Sequence, residues 1–199
     1  MAEIPSTRSL VMEKATTAQS GENKAIRNIV VLPYDKKWQQ DFLDIKKELA
    51  EALGKTPEQR SLALAIEHVG STSVPGLSAK PIIDIDVVVR AGDVQAAIQA
   101  LAGIGYNHEG NLGIPGREAF GYSGKEHLQE HHLYLCPEDS PELKRHLAFR
   151  DYLRGHPQAV EEYSNIKLEA AALFPHDIDG YINHKSPVIE KIYNELGLN

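Results

Sequence analysis

A chain of 199 residues that is 42% hydrophobic suits one domain with a real core, or one domain carrying a helical appendage. Its 21 basic against 28 acidic residues leave a net charge of −7, so a protein that grips nucleic acid through its overall field is not expected, although a local basic groove stays open. The single cysteine, Cys136, excludes an internal disulfide and a cysteine zinc cluster, and the lack of a membrane-length apolar run or a signal-peptide pattern predicts a cytoplasmic protein with no membrane partner.

Residues 1–28 mix Ser, Thr, Glu and Lys without a sustained apolar period and are expected to form a flexible tail. One domain is expected over 29–199, with its sheet in 29–139 and its helices in 140–199. Ile29 to Leu32 reads as a short strand closed by Pro33, Tyr34 and Asp35. Trp38, Phe42, Ile45 and Leu49 recur at helical spacing and predict a helix over 37–53 that Gly54 stops.

The central stretch runs from 62 to 89. Residues 62–69 form an apolar run suited to a strand, and 70–81 is rich in Gly, Ser, Thr and Pro and so makes a turn or short irregular helix. Residues 82–89 are β-branched except for Asp84 and Asp86, which predicts a buried strand. On that strand both carboxylates leave one face, roughly 7 Å apart at Cα. At ~6 Å and an effective dielectric of ~20 their repulsion costs on the order of 3 kcal/mol. Desolvation adds to this. A cation between them or a shared proton relieves the cost, and oxygen-only ligands favour Mg²⁺ (or Mn²⁺) over zinc. An edge strand with a solvated polar face is the plainer alternative. The turn offers a metal-bound polyphosphate close backbone approach at Gly70 and hydroxyls at Ser71, Thr72 and Ser73.

Val94, Ile98 and Leu101 mark a second helix that ends at Gly103, and 105–122 reads as a loop-rich hairpin whose return begins near Gly116 and Arg117. Gly124 to Glu130 is polar and expected to be mobile. Residues 131–136 form the next strand, with Glu130, His132 and Tyr134 on one face. From Ser140 the chain turns helical, in three stripes: Leu143, Leu147, Arg150 and Arg154; then Val160, Tyr163, Lys167 and Ala170; then Tyr181, Lys185, Ile189 and Ile192. Pro157 opens the second of these helices, and Ser186-Pro187 is a place to kink or restart the third. Each stripe holds a cation, Arg150, Lys167 or Lys185. Snorkelling explains one such residue, whereas three in succession suggest helices lining an anionic site. His68, His127, His131 and His132 invite a zinc site, but no two of them have helical metal-ligand spacing.

Gly70-Ser71 followed by Asp84 and Asp86 on an apolar strand resembles the nucleotidyltransferase superfamily typified by DNA polymerase beta. The longer run of Val31-Leu32-Pro33-Tyr34-Asp35 with Trp38, His68 to Leu77, Lys80 to Asp84, Gly116-Arg117 and Phe149 to Arg154 is similar to the GrpB family. The resemblance implies an α/β (α+β) fold: a nucleotidyltransferase-like small mixed β-sheet with flanking helices and a C-terminal helical bundle. It implies a nucleoside triphosphate as partner, with Asp84 and Asp86 on the metal, Gly70, Ser71, Thr72 and Ser73 around the phosphates, and Lys80, Arg117, Arg150, Lys167 and Lys185 neutralising phosphate charge. Two departures stand out. No third carboxylate is evident where active nucleotidyltransferases have one; His132 stands there, with Glu130 and Glu118 nearby, and is the candidate base. Tyr134 replaces the second histidine of the family's His-Leu-His. Transfer to a small-molecule or protein acceptor, non-catalytic binding of a nucleotide or phosphometabolite, and metal-assisted phosphate-ester hydrolysis all remain open.

Overall fold

The run of β-branched residues becomes the middle of the sheet. The computed structural model describes residues 28–54 and 60–198. Within it the run forms β2 (Ile83–Val89), paired antiparallel with β1 (Ala63–Val69) and parallel with β5 (His131–Pro137). β4 (Glu118–Tyr122) and β3 (Tyr106–Gly110) extend a five-stranded mixed sheet in the order β1-β2-β5-β4-β3. A strand paired on both edges presents two faces, and both must be covered. Ile83, Ile85, Val87 and Val89 fill one core with Trp38, Ile45 and Leu49 of α1 (Lys37–Leu53) and Ala97 and Leu101 of α2 (Val94–Ala102).

Three helices stand on the other face: α3 (Pro141–Gly155), α4 (Pro157–Leu173) and α5 (Ile178–Glu195). Leu143 of α3 seals Val88 and Cys136. Leu153, Tyr163, Val188 and Ile192 join the three helices to Val74 and Leu77, just beyond the turn after β1. Helix starts follow local chemistry. Ser140 Oγ accepts the Leu143 N–H at 3.4 Å ahead of Pro141, and Asp177 Oδ1 accepts the Gly180 N–H at 3.0 Å. The architecture is thus α/β (α+β), a small mixed sheet with flanking helices and a C-terminal helical bundle. No helix among the described residues is long and apolar enough to cross a membrane.

Several local expectations meet a different outcome. The tail expected over 1–28 lies, apart from Asn28, outside the described residues. Ile29 to Leu32 is no strand: Leu32 makes one bridge with Ala79, while the Ile29 N–H turns to the Pro175 carbonyl at 2.8 Å. Its two ends answer to different partners, so no ladder can propagate. Ser186-Pro187 neither ends nor restarts α5, and the Ser186 hydroxyl donates to the Ile182 carbonyl one turn back at 2.8 Å. The segment expected to be mobile is anchored: the buried Lys125 ammonium pairs with Glu48 and lies over the Tyr106 ring, and Gln129 Nε2 donates to the Pro81 carbonyl at 2.6 Å.

His131 shows what the inner face demands of a polar side chain. It is buried, with Nδ1 donating to the Gln129 carbonyl at 2.7 Å, Nε2 accepting from the Tyr106 hydroxyl at 2.8 Å, and its ring stacked on Tyr122. Burial holds its pKa down at about 4. The unfolded chain takes this proton near pH 6.5 and the folded chain only near 4, so the contribution to stability is full above 6.5 and is lost as pH falls through that window. The full loss is on the order of 3 kcal/mol. Urea midpoints measured between pH 7.5 and 4.5 should fall with pH, and fall less steeply in His131→Gln. The slope that remains is expected from His68, which burial also holds at about 4.

Candidate functional site

Strand parity gathers the polar groups of the outer face. Asp84 stands opposite His132 and Asp86 opposite Tyr134 on β5, while Glu67 of β1 faces Asp86 from the other side. Asp84 Oδ1 accepts from His132 Nδ1 at 2.9 Å, and Asp86 Oδ2 from His146 Nδ1 of α3 at 2.7 Å. The two pairs differ in exposure. The side chains of His132 and Asp84 are 18% and 30% exposed, those of His146 and Asp86 only 3% and 0%. Burial lowers the pKa of His146, but the charge and hydrogen bond of Asp86, with the Glu142 carboxylate, together outweigh it and the imidazole ends above its ordinary value. One Asp–His pair is open and the other sealed.

The turn after β1 comes close to Asp84 because it begins with glycine. Gly70 has φ 66° and ψ −171°, a region essentially closed to other residues, and a methyl group there would lie 2.1 Å from Asp84 Oδ2. The single 3₁₀ turn Ser71–Ser73 follows. Ser73 Oγ donates to the Gly70 carbonyl at 2.6 Å, and Thr72 Oγ1 donates to the Ile82 carbonyl at 3.1 Å and lies 3.1 Å from His68 Nε2. Of the three hydroxyl residues, Ser71 is the one that lines the adjoining cavity.

That cavity, about 130 Å³, lies between the turn, the open Asp–His pair and the helical bundle. Lys80, Lys167 and Lys185 enter it from three separate elements, and Lys167 and Lys185 are buried. Their ammonium groups rest on tyrosine faces: Lys80 and Lys185 lie 5.5 and 5.1 Å from the Tyr181 ring centre, and Lys167 lies 4.5 Å from that of Tyr163. Phe149, Tyr163 and Tyr193 supply aromatic wall. The arrangement sets three ammonium groups and the partly open Asp84–His132 pair on the walls of one cavity.

Among the residues singled out from sequence, the cavity brings together Gly70, Ser71, Lys80, Asp84, His132, Lys167 and Lys185. Thr72 and Ser73 instead bond their own turn and its surroundings, and Asp86 lies beneath with His146. Arg150 does not line the cavity. It sits at the β1 side of α3, where Nη1 donates to Glu67 Oε2 at 2.7 Å and to the His68 carbonyl at 3.2 Å, and Nε donates to Asp151 at 2.7 Å. Arg117 does not line the cavity either: it is fully buried with its guanidinium 4.2 Å from the ring centre of the lining Tyr134, and none of its three nitrogens has a hydrogen-bond partner among the described residues. The histidines do not assemble for zinc. His131 takes the face opposite His132, His68 stacks on Phe42, His127 pairs with Glu48, and no group of three or more potential ligands gathers among the described residues. Glu118 is held by His108 at 2.6 Å.

Sequence reasoning missed His146, Glu67 and the tyrosines of the wall. His146 carried a signal, since it lies three residues after Leu143 on the stripe that meets the sheet. Glu67 also carried one, through its even spacing from Val69 and thus its place on the face of Asp84 and Asp86.

A family model described as GrpB protein matches residues 28–195. UPF0157 protein YqkA of Bacillus subtilis is 36% identical over 165 residues, which are 82% of this chain and 46% of that protein. The glutamate-rich protein GrpB of Alkalihalophilus pseudofirmus is 31% identical over 180 residues, 88% of this chain and 99% of that one. The chain therefore spans about half of the Bacillus relative and nearly all of the other. The crystal structure of conserved protein GrpB from Enterococcus faecalis superposes with a TM-score of 0.71 at 34% identity, covering 83% of this chain and 96% of that one.

The sealed pair sets a stability prediction. His146→Leu strands the fully buried Asp86 carboxylate and should cost about 3–5 kcal/mol in urea unfolding. Asp86→Leu combined with His146→Leu removes both polar partners and should recover much of that loss. A double variant no more stable than His146→Leu would show that the pair is not what the single change breaks.

Proposed function

The chain belongs to the GrpB family, and from the cavity beside Asp84 we propose that it is a Mg²⁺-dependent, nucleotidyltransferase-like protein moving a nucleotidyl group from a nucleoside triphosphate to a small-molecule or protein acceptor. The observation that carries this reading is one cavity with three lysines and an open Asp84–His132 pair on its walls.

The acids suit a hard cation. Asp86 Oδ1 is buried without a hydrogen-bond partner, two residues along the same face from the cavity-lining Asp84, so Asp84 and Asp86 would hold Mg²⁺ (or Mn²⁺). When bound, the ion offsets phosphate charge. Lys80, Lys167 and Lys185 hold the β- and γ-phosphates, and Gly70 lets the turn approach them beside Ser71. Asp84 accepts from Nδ1–H of His132 and so keeps Nε2 as the basic atom. His132 Nε2 takes the acceptor's proton as its oxygen bonds to the α-phosphorus. The bond from that phosphorus to the bridging oxygen breaks, and pyrophosphate leaves with the electron pair.

A second reading, a nucleotide- or phosphometabolite-binding module without catalysis, is favoured by the sealing of Asp86 against His146. Pyrophosphate release and calorimetric binding of the four NTPs with Mg²⁺ separate the two. Asp84→Asn should lower pyrophosphate release by about 100-fold or more while leaving the thermal transition in place. Undiminished release in that variant would falsify the mechanism. Saturable binding with no release across acceptors would favour the binding module.

A further inference from the structure

Resting on the reading above, we infer that Arg150 and Arg154 are positioning residues: from α3 they hold the Gly70–Ser73 turn against Asp84, so that the turn meets the ligand's phosphates while the arginines act only through it. Along α3 a stripe with four-residue spacing meets the outer face of the sheet at three points. His146 bonds Asp86 at the centre of β2. Arg150 Nη1 donates to the His68 carbonyl, where β1 runs into the turn, at 3.2 Å. Arg154 donates to the Ser73 carbonyl, where the turn ends, through Nε at 3.2 Å and Nη2 at 2.8 Å. Between the two arginines, Leu153 packs with Val74 and Leu77 just past the turn. One helix thus grips the turn at its entry and at its exit. The grip matters because a three-residue 3₁₀ turn closes few bonds of its own. Here the Ser73 N–H reaches the Gly70 carbonyl at 3.3 Å and the Val74 N–H reaches that of Ser71 at 3.2 Å. Asp151 steadies the two cations: it accepts from Arg150 Nε at 2.7 Å and lies 3.7 Å from Arg154 Nη1. Two donors in one plane on one carbonyl is a geometry that a guanidinium offers and an ammonium does not. The run from Phe149 to Arg154 therefore serves the site twice, since Phe149 is part of the cavity wall and the arginines clamp the turn beside it.

The test pairs amide hydrogen exchange, followed by NMR, with calorimetric binding of the four NTPs in Mg²⁺, on the full chain and its Arg154→Met and Arg154→Lys variants. The Arg154 side chain is 41% exposed, so its replacement spares the core. In Arg154→Met the Ser73 and Val74 amides should exchange about 10-fold faster or more, as loss of a charged donor to the turn requires. Amides of β2 and β5 should stay within about 2-fold of their usual rates. NTP binding should weaken by about 10-fold in step with the turn. Arg154→Lys, which keeps the charge and loses the paired donors, should fall between on both readouts. Should Arg154→Met fail to fold, Arg154→Lys and Arg150→Lys carry the same two measurements. Weaker binding with unchanged exchange would place the guanidinium on the ligand itself and overturn the inference. Faster exchange throughout the sheet would make Arg154 a general structural residue and overturn it too. A loosened turn with NTPs bound as tightly as before would overturn the positioning role and leave the proposed function standing. No NTP binding by the unaltered chain would overturn the proposed function, and the placing of the turn for phosphates with it.

Discussion

β2 is paired on both edges and yet carries two carboxylates on one face, and the outer half of the molecule is arranged around that constraint. Period-2 geometry sends both acids to the side where the helical bundle packs, and neither can be left bare there. Each is met by an imidazole from a different element. His132 lies directly across the parallel pairing with β5, while His146 descends from α3. The second contact ties α3 to the centre of the sheet. With α3 placed, α4 and α5 follow by packing on it around Tyr163, Val188 and Ile192, and the space they leave over Asp84 is the cavity.

What could be read from the sequence was whatever depends on a fixed local period. The alternation at 82–89 placed Asp84 and Asp86 on one side of a strand, and the spacing of Trp38, Phe42, Ile45 and Leu49 placed α1, because both patterns need only the chain itself. Long-range partners were not legible. A stripe position says that Arg150, Lys167 and Lys185 point inward, not what they meet. Arg150 crosses near β1, where Glu67 lies within reach, whereas the two lysines lie farther along the bundle, over tyrosine rings. Composition could not apportion the hydroxyls of the Gly-Ser turn either. A three-residue 3₁₀ turn has orphan backbone groups nearby, and Ser73 and Thr72 are spent on them.

Arg117 is a separate case. As Gly116-Arg117 beside a strand it reads as a phosphate-binding cation, yet the strand it leads into carries it under Tyr134, behind the wall that this ring forms and not among the residues that line the cavity. Tyr134 stands where the resemblance leads one to expect histidine, and its ring gives the guanidinium a π face. The full burial of this cation is compensated at least in part by that face. Among the described residues no hydrogen bond to the guanidinium completes the account.

The difference between the two Asp–His pairs divides their labour. Changing the charge of a fully buried pair disturbs everything packed on it, so Asp86–His146 is suited to hold α3 on the sheet and unsuited to cycle a proton. The Asp84–His132 pair is partly open and shares the cavity with the lysines, which is the setting the proposed proton transfer needs. Gly70 is what brings the two roles so near each other. Without a side chain at that position, the turn lies against Asp84 Oδ2 while Oδ1 stays on His132. A larger residue would push either the carboxylate off its histidine or the turn off the cavity, and in both cases the turn and the Asp84–His132 pair would lose their register.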